Sequence, residues 1–339
     1  MTLVEPRQAV TDSKSLQALT PTLFNVQKRL NDFKRNYHWA LIRVKKSNTL
    51  NWSQASSPKK GLSLRVISRI TVISSLLLIV YFSKTETVKT FAKQSEVLPG
   101  KGEVVECSQE YMKEINKYEG CFPKKCKRFV TDKVITSREA DELLSMAKKG
   151  LKFGGSSGGA SILDLHTGAL SKGQYFVNIY KIDTMRNLFT QDDFNTFRVV
   201  KEKIKYNIAH RFEVLPDKIF LTHPTFFSEI TPKKAVSIHD EYWHPHVDKE
   251  TYKSFHYTSL LYLNDYNVDF QGGRFMFIDE KWNKTVEPRK GRLSMFTSGA
   301  ENLHYVEKVT SGVRYAMTIS FTCDAQFAIE DPNINKYKV

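Results

Sequence analysis

The chain has 339 residues, 41% of them hydrophobic and 12% aromatic, a globular composition with room for one large or two ordinary cores. Its formal charge of +15 is unevenly spread. Residues 1–69 hold 13 Lys/Arg against 3 Asp/Glu, so +10 of the +15 belongs to a tail and about +5 to the remaining chain, which argues against a nucleic-acid-binding domain.

In chain order, residues 1–61 read as a basic cytoplasmic tail. Within it Leu23, Val26, Leu30, Phe33, Tyr37, Leu41 and Val44 recur at helical steps, a stripe to which no function is assigned. Residues 62–82, "LSLRVISRITVISSLLLIVYF", are uncharged over 70–82 and carry Arg65 and Arg69 near their start. Their length predicts a single transmembrane signal anchor. Lys45, Lys46, Lys59, Lys60, Arg65 and Arg69 precede the span. The N-terminus is therefore expected inside, and the rest of the chain in the lumen of the endoplasmic reticulum or Golgi or outside the cell, a type II arrangement. Tail or span is where an oligomer would form.

Residues 83–125 read as a polar luminal stem. Cys107, Cys121, Cys126 and Cys323 are an even set on the oxidising side, so disulfides are expected, with three pairings open. Asn283-Lys284-Thr285 is an N-glycosylation acceptor on that side.

A folded domain is expected over 126–332. A helix over 137–149 is predicted from a Thr136/Glu139 capping box, with Ala140, Leu143, Leu144 and Ala147 on its apolar face and Gly150 as its stop. The Gly/Ser run at 154–159 lacks the lysine of a phosphate-binding loop and reads as a flexible loop. A second helix is predicted over 191–211, capped by Thr190. After residue 218 come short alternating runs, "KIFLTHPTFFSEI", "SFHYTSLLYLND", "GGRFMFID", "GRLSMFTS" and "VRYAMTISFTC", which predict strands. Helices followed by many short strands give an α+β class, with a jelly-roll core over about 218–324.

The chemistry concentrates in "EYWHPHVDKE". On an extended strand His246 and Asp248, two apart, face the same side and can share a metal ion. His304 lies 56 positions on. Two His and one carboxylate are the facial triad of non-haem Fe(II) oxygenases. His244 is the close competitor, and with His246 and His304 it would give a zinc hydrolase instead. Glu241, Lys249 and Glu250 read as solvated rim. Arg314, Ala316, Thr318 and Ser320 alternate with apolar residues, which sets a guanidinium inside a β core, suited to a dicarboxylate. Tyr262 offers a phenol, and Gly272-Gly273 allow a close backbone approach.

In order and spacing, His246-x-Asp248, Tyr262-Leu-Asn, Gly272-Gly273, "PRKGRLSMF", His304 with Val306, and Arg314-Tyr-Ala-Met-Thr318 resemble the prolyl-4-hydroxylase-like 2-oxoglutarate and iron(II)-dependent oxygenases. The likeness covers 239–324 and, with membrane-bound members, about 107–332. It implies a double-stranded β-helix in which His246, Asp248 and His304 ligate Fe(II). Arg314 would pair with the C5 carboxylate of 2-oxoglutarate, and Tyr262 and Thr318 would hydrogen-bond it. Collagen-type members use Lys where this chain has Arg314, so no collagen substrate is implied. The implied reaction is 2-oxoglutarate-dependent hydroxylation by O2, with L-ascorbate as the usual rescuer of the iron. The substrate is an unidentified luminal molecule, a protein side chain among the options. The rival expectation is a membrane-anchored scaffold that keeps the fold without turnover.

Overall fold

The computed structural model describes residues 63–82, 88–185 and 187–332, so the helical stripe of the tail lies outside the described residues. The chain divides into two units, residues 1–81 and 82–339. In the first, helix α1 (Leu64–Phe82) forms where the span was expected, with Val66, Ile67, Ile70, Val72, Ile73 and Leu76 exposed. No helix among the described residues is long and apolar enough to cross a membrane.

The second unit begins earlier than expected. Part of the supposed stem is folded into it: β1 (Lys89–Ala92), β2 (Lys101–Val105) and α2 (Gln109–Ile115), the last burying Tyr111 and Ile115. β2 pairs only with β3 (Cys126–Thr131) and keeps one face in solvent. An edge strand of this kind shows no hydrophobic period, which is why its sequence reads as linker.

Helix α3 (Ser137–Leu151) starts at the expected capping box, Thr136 Oγ1 accepting from Glu139 N and Glu139 Oε2 accepting from Thr136 N. It does not stop at Gly150. A Cβ there would lie 2.3 Å from Leu163, so the glycine serves the close approach of α3 to strand β5 (Ala160–Leu163) rather than a cap. Helix α4 (Gln191–Phe212) opens at Thr190, with Asp193 closing the box, and ends at Glu213 in the left-handed region (φ 60°). In the Gly/Ser run, β4 (Gly155–Ser156) pairs with β6 (Ala169–Gly173), so the expected flexible loop is tied to a sheet.

All five runs predicted as strands form strands. The large sheet runs β2, β3, β13 (Leu293–Thr297), β9 (Tyr257–Tyr262), β16 (Arg314–Thr322), β8 (Phe220–Ile230), β5, β6, β4, with β7 (Tyr175–Asn178) on β6. A second sheet runs β1, β12 (Lys284–Val286), β11 (Phe275–Phe277), β14 (His304–Val306), and β10 (Phe270–Gly272) pairs with β15 (Val309–Gly312). Two cores result. Helices α2, α3 and α4 cover one face of the large sheet, where Leu261, Met295, Met317 and Ile319 are buried. The other face meets the small sheet through Tyr262, Phe296 and Ala316 against Phe275, Phe277 and Val286. This β core with a helical layer is consistent with a jelly-roll, and the β16 alternation sends Met317 and Ile319 to the helices and Ala316 to the inter-sheet side.

The four cysteines pair as Cys107–Cys126 and Cys121–Cys323, leaving none free. The first closes a separation of 19 residues and the second one of 202. Chain-entropy arguments give about 3 and about 5 kcal/mol respectively. Replacing Cys121 and Cys323 by Ser should therefore lower the urea midpoint more than replacing Cys107 and Cys126, as denaturant titration followed by circular dichroism would read.

Candidate metal centre

His246, Asp248 and His304 come together, one ligand atom from each within 4.8 Å of the others. Each His Nε2 lies near the same oxygen, Asp248 Oδ1, at 3.7 Å from His246 and 3.6 Å from His304. Their other polar atoms are occupied. His246 Nδ1 meets the carbonyl of His244 at 3.0 Å, and His304 Nδ1 that of Asn302 at 2.7 Å. A carbonyl only accepts, so both Nδ1 atoms carry the proton and both Nε2 lone pairs face the carboxylate. Asp248 Oδ2 accepts from Thr258 Oγ1 at 2.7 Å. Three lone pairs thus converge with no donor among them, an arrangement that repels itself unless a cation stands between them.

Burial pushes the His246 imidazole down, which keeps it neutral and fit to ligate. His304 is packed among Phe275, stacked at 4.9 Å, and Phe296, edge-on at 5.1 Å.

The local geometry differs from the strand expected for "HPHVD". His246 is bridged to His304, N to O at 2.9 and 3.1 Å, but Asp248 opens a one-turn helix, α5 (Asp248–Thr251). The ladder ends because Lys249 N turns to Ser298 O. His244 stays outside: it is exposed and held by Glu241 at 2.6 Å, which removes the three-histidine alternative. Lys249, expected on the solvated rim, is largely buried, its Nζ on Glu114 at 2.6 Å and on the carbonyl of Lys253.

Arg314 is buried at the head of β16. Its Nε donates to the carbonyl of Gly273 at 2.9 Å, and its Nη2 has no partner among the described residues. Burial pushes the guanidinium down, with Tyr262 and Tyr242 opposing. Gly272 and Gly273 sit at φ 69° and 65°, and a Cβ on Gly273 would come within 3.0 Å of Arg314 Cδ, so the paired glycines do permit the predicted close approach. Arg314 and Thr318 line a cavity of about 490 Å³ that also reaches His246, and a neighbouring lobe of about 290 Å³ reaches His246, Asp248 and His304. Tyr262 lies against Arg314, ring centre to guanidinium 5.5 Å, but lines neither lobe; its hydroxyl meets Ser294 at 3.4 Å.

Residues 234–322 match the 2OG-Fe(II) oxygenase superfamily. The "2-oxoglutarate and iron-dependent oxygenase domain-containing protein 3" of Mus musculus is 54% identical over 249 residues, 73% of this chain and 79% of that protein. That of Xenopus tropicalis is 57% identical over 230 residues, 67% of this chain and 72% of that protein. The chain belongs to the 2-oxoglutarate and iron(II)-dependent oxygenases. A solved viral collagen prolyl hydroxylase from Paramecium Bursaria Chlorella virus-1 is 16% identical, with a TM-score of 0.40 over 60% of this chain and 96% of that one.

As such an oxygenase, the protein is a 2-oxoglutarate-dependent dioxygenase whose cofactors are Fe(II), 2-oxoglutarate and O2, with ascorbate a typical addition. The donor set fits: two neutral imidazoles and one carboxylate suit Fe(II), and an unpartnered buried guanidinium suits a carboxylate. Sequence reasoning missed three residues of this surround. Thr258 shares the strand alternation of Tyr262 and could have been found from it. Tyr242, which accepts from Val309 N and lines the cavity, sits in a loop with no period to reveal it. Glu114 lies in the supposed stem.

Glu114 anchors the turn that presents Asp248. It accepts from Lys249, and at 3.3 Å from His256 Nε2. His256 Nδ1 already accepts from Cys323 N, so Nε2 carries the proton toward Glu114. That bond first, and then Lys249, outweigh partial burial and pull the Glu114 carboxyl down to about 2. A depressed carboxylate contributes stability above its unfolded value, about 4.3, and loses it as pH falls toward 2. Glu114→Gln should therefore flatten the decline of the urea midpoint between about pH 4.3 and 2; an unchanged slope would show that this carboxylate carries none of it.

Proposed function

We propose that the protein hydroxylates an unidentified substrate, a protein side chain, a lipid or a small molecule, on the luminal or extracellular side of a membrane. In this reading His246, Asp248 and His304 hold the iron, Arg314 receives the C5 carboxylate of 2-oxoglutarate, and Thr318 and Tyr262 lend hydroxyls to that carboxylate. The observation that carries the reading is the unpartnered Nη2 of a fully buried Arg314 beside a cavity shared with the three ligand residues. A buried guanidinium nitrogen without an acceptor is costly, and a dicarboxylate supplies one.

The bound iron supplies activation of O2 coupled to decarboxylation of 2-oxoglutarate, yielding succinate and CO2. The chain's residues supply position. Asn302 and His244 fix the two imidazoles, Thr258 fixes the carboxylate, and Gly273 aims Arg314. Phe226, Leu260 and Val306 give the lobe next to the ligands an apolar wall that limits water.

Placement across a membrane is part of the proposal. Two disulfides that use every cysteine support an oxidising compartment, and the exposed apolar side chains of α1 behind Arg65 and Arg69 support membrane attachment. Asn283, partly exposed, would carry the glycan. Loss of the gel shift produced by glycosidase in an Asn283→Gln variant, together with resistance of the oxygenase domain to protease in sealed microsomes, is the expected outcome.

Activity is tested on chain loaded anaerobically with Fe(II) and then given O2, 2-oxoglutarate and ascorbate. Succinate should accumulate, and His246→Ala should abolish it. Arg314→Leu should raise the KM for 2-oxoglutarate by about 100-fold, the worth of a charge-assisted pair of roughly 3 kcal/mol. Absence of any 2-oxoglutarate binding to the iron-loaded chain would end the reading, whereas binding without succinate would favour the silent scaffold.

A further inference from the structure

Behind His304 lies a second buried guanidinium that the reaction does not use. Arg128, on β3, is 1% exposed and has four kinds of partner. Its Nη1 and Nη2 grip both oxygens of Asp279 at 2.9 and 2.7 Å. Nη2 also donates to the carbonyl of Glu301 at 3.0 Å, and Nε donates to Asn302 Oδ1 at 2.7 Å. Its guanidinium lies 4.3 Å from the centre of the Phe277 ring.

Two routes lead from this hub to the metal ligand. In the polar one, Asn302 is held by Arg128 on its oxygen and by Thr297 on its nitrogen, at 2.8 Å to the carbonyl and 3.0 Å to the hydroxyl. With side chain and flanking carbonyl both pinned, the main-chain oxygen of Asn302 has one direction left to it, and there it takes the Nδ1 proton of His304 at 2.7 Å. In the packing route, Phe277 fixed under the guanidinium is edge-on to His304 at 6.4 Å and is paired in register with it across β11 and β14. The contrast with His246 is instructive. Its Nδ1 also meets a carbonyl, but that carbonyl belongs to the exposed His244, whose side chain pairs with Glu241 and packs on Trp243.

We propose that Arg128, acting through Asn302 and Phe277, is a positioning residue for His304: it fixes the Nδ1–H tautomer and the ring plane, and so sets the affinity of the site for its metal. The proposal rests on the ligand assignment above but not on turnover or on any substrate.

The matched control is Arg292. It too is fully buried and bidentate on a carboxylate, Asp132, and it too serves backbone carbonyls, those of Lys93, Glu287 and Glu96, yet none of its partners touches a metal ligand. Lysine at either position keeps the charge and loses the planar fork. A merely structural role predicts that Arg128→Lys and Arg292→Lys behave alike.

The experiment measures Fe(II) affinity anaerobically, by competition with a chromophoric chelator, on the full chain at a temperature where circular dichroism shows each variant folded. Imidazole nitrogen NMR shifts of the metal-free chain report the His304 tautomer. Arg128→Lys should weaken Fe(II) binding by about 10- to 100-fold, the usual cost of losing an outer partner of a ligand, and should mix the His304 tautomers. Arg292→Lys should lower the melting temperature with the affinity unchanged. Should Arg128→Lys not fold, Asp279→Asn, at a carboxylate partly open to solvent, is expected to act in the same direction more weakly. Equal Fe(II) affinities in the Arg128 or Asp279 variant and the wild type, with His304 still a single Nδ1–H tautomer, would overturn the proposal. A wild-type chain that binds Fe(II) without producing succinate would count against the catalytic reading alone.

Discussion

His246 and His304 are joined by two backbone hydrogen bonds, 2.9 and 3.1 Å, and the geometry of the site depends on this bridge. It brings the loop carrying His246 and Asp248 to the edge of the small sheet, where β14 is otherwise paired only with β11. Once the bridge forms, two imidazoles stand 4.5 Å apart, ring centre to ring centre, and the ladder has to end before Asp248. The carboxylate then enters from a helical turn. Its free oxygen reaches both Nε2 atoms because Thr258, from the opposite sheet, holds the other.

That constraint explains how polar groups are distributed through the core. Thr258 and Arg314 are buried on the large sheet, His304 on the small one, and the apolar contact of Phe275, Phe277 and Phe296 surrounds the histidine. Interiors tolerate such groups when each has a partner. Most do here. Arg128 and Arg292 are fully satisfied by carboxylates and carbonyls, whereas Arg314 Nη2 is not. Three buried arginines in one β core thus divide into two that brace the frame and one left able to receive an anion.

The folded frame also depends on the segment before the sheet. Glu114 reaches Lys249 and His256 from α2, and the Cys121–Cys323 disulfide ties the chain following that helix to the end of β16. Residues that read as linker therefore reach the turn carrying Asp248. Nothing local could have revealed this, because ion pairs across 135 positions leave no periodic trace.

What the sequence determined by itself was whatever has a local period or a fixed spacing. Capping boxes at Thr136 and Thr190 set helix starts, alternation set β8, β9, β13 and β16 and the two faces of β16, and the spacing of His246, Asp248, His304 and Arg314 marked the chemistry. Helix ends, the stem and the cysteine pairing were decided by tertiary contacts. Gly150 reads as a stop until Leu163 is found against it, and three pairings of four cysteines are equal on paper until the chain brings residue 121 to residue 323. Likewise His244 and His246 look equivalent in one dimension. Only the bridge to β14, which takes the backbone of 246 and leaves the side chain of 244 to Glu241, brings one imidazole and not the other to Asp248 and His304, because lone pairs converge in space and not by order along the chain.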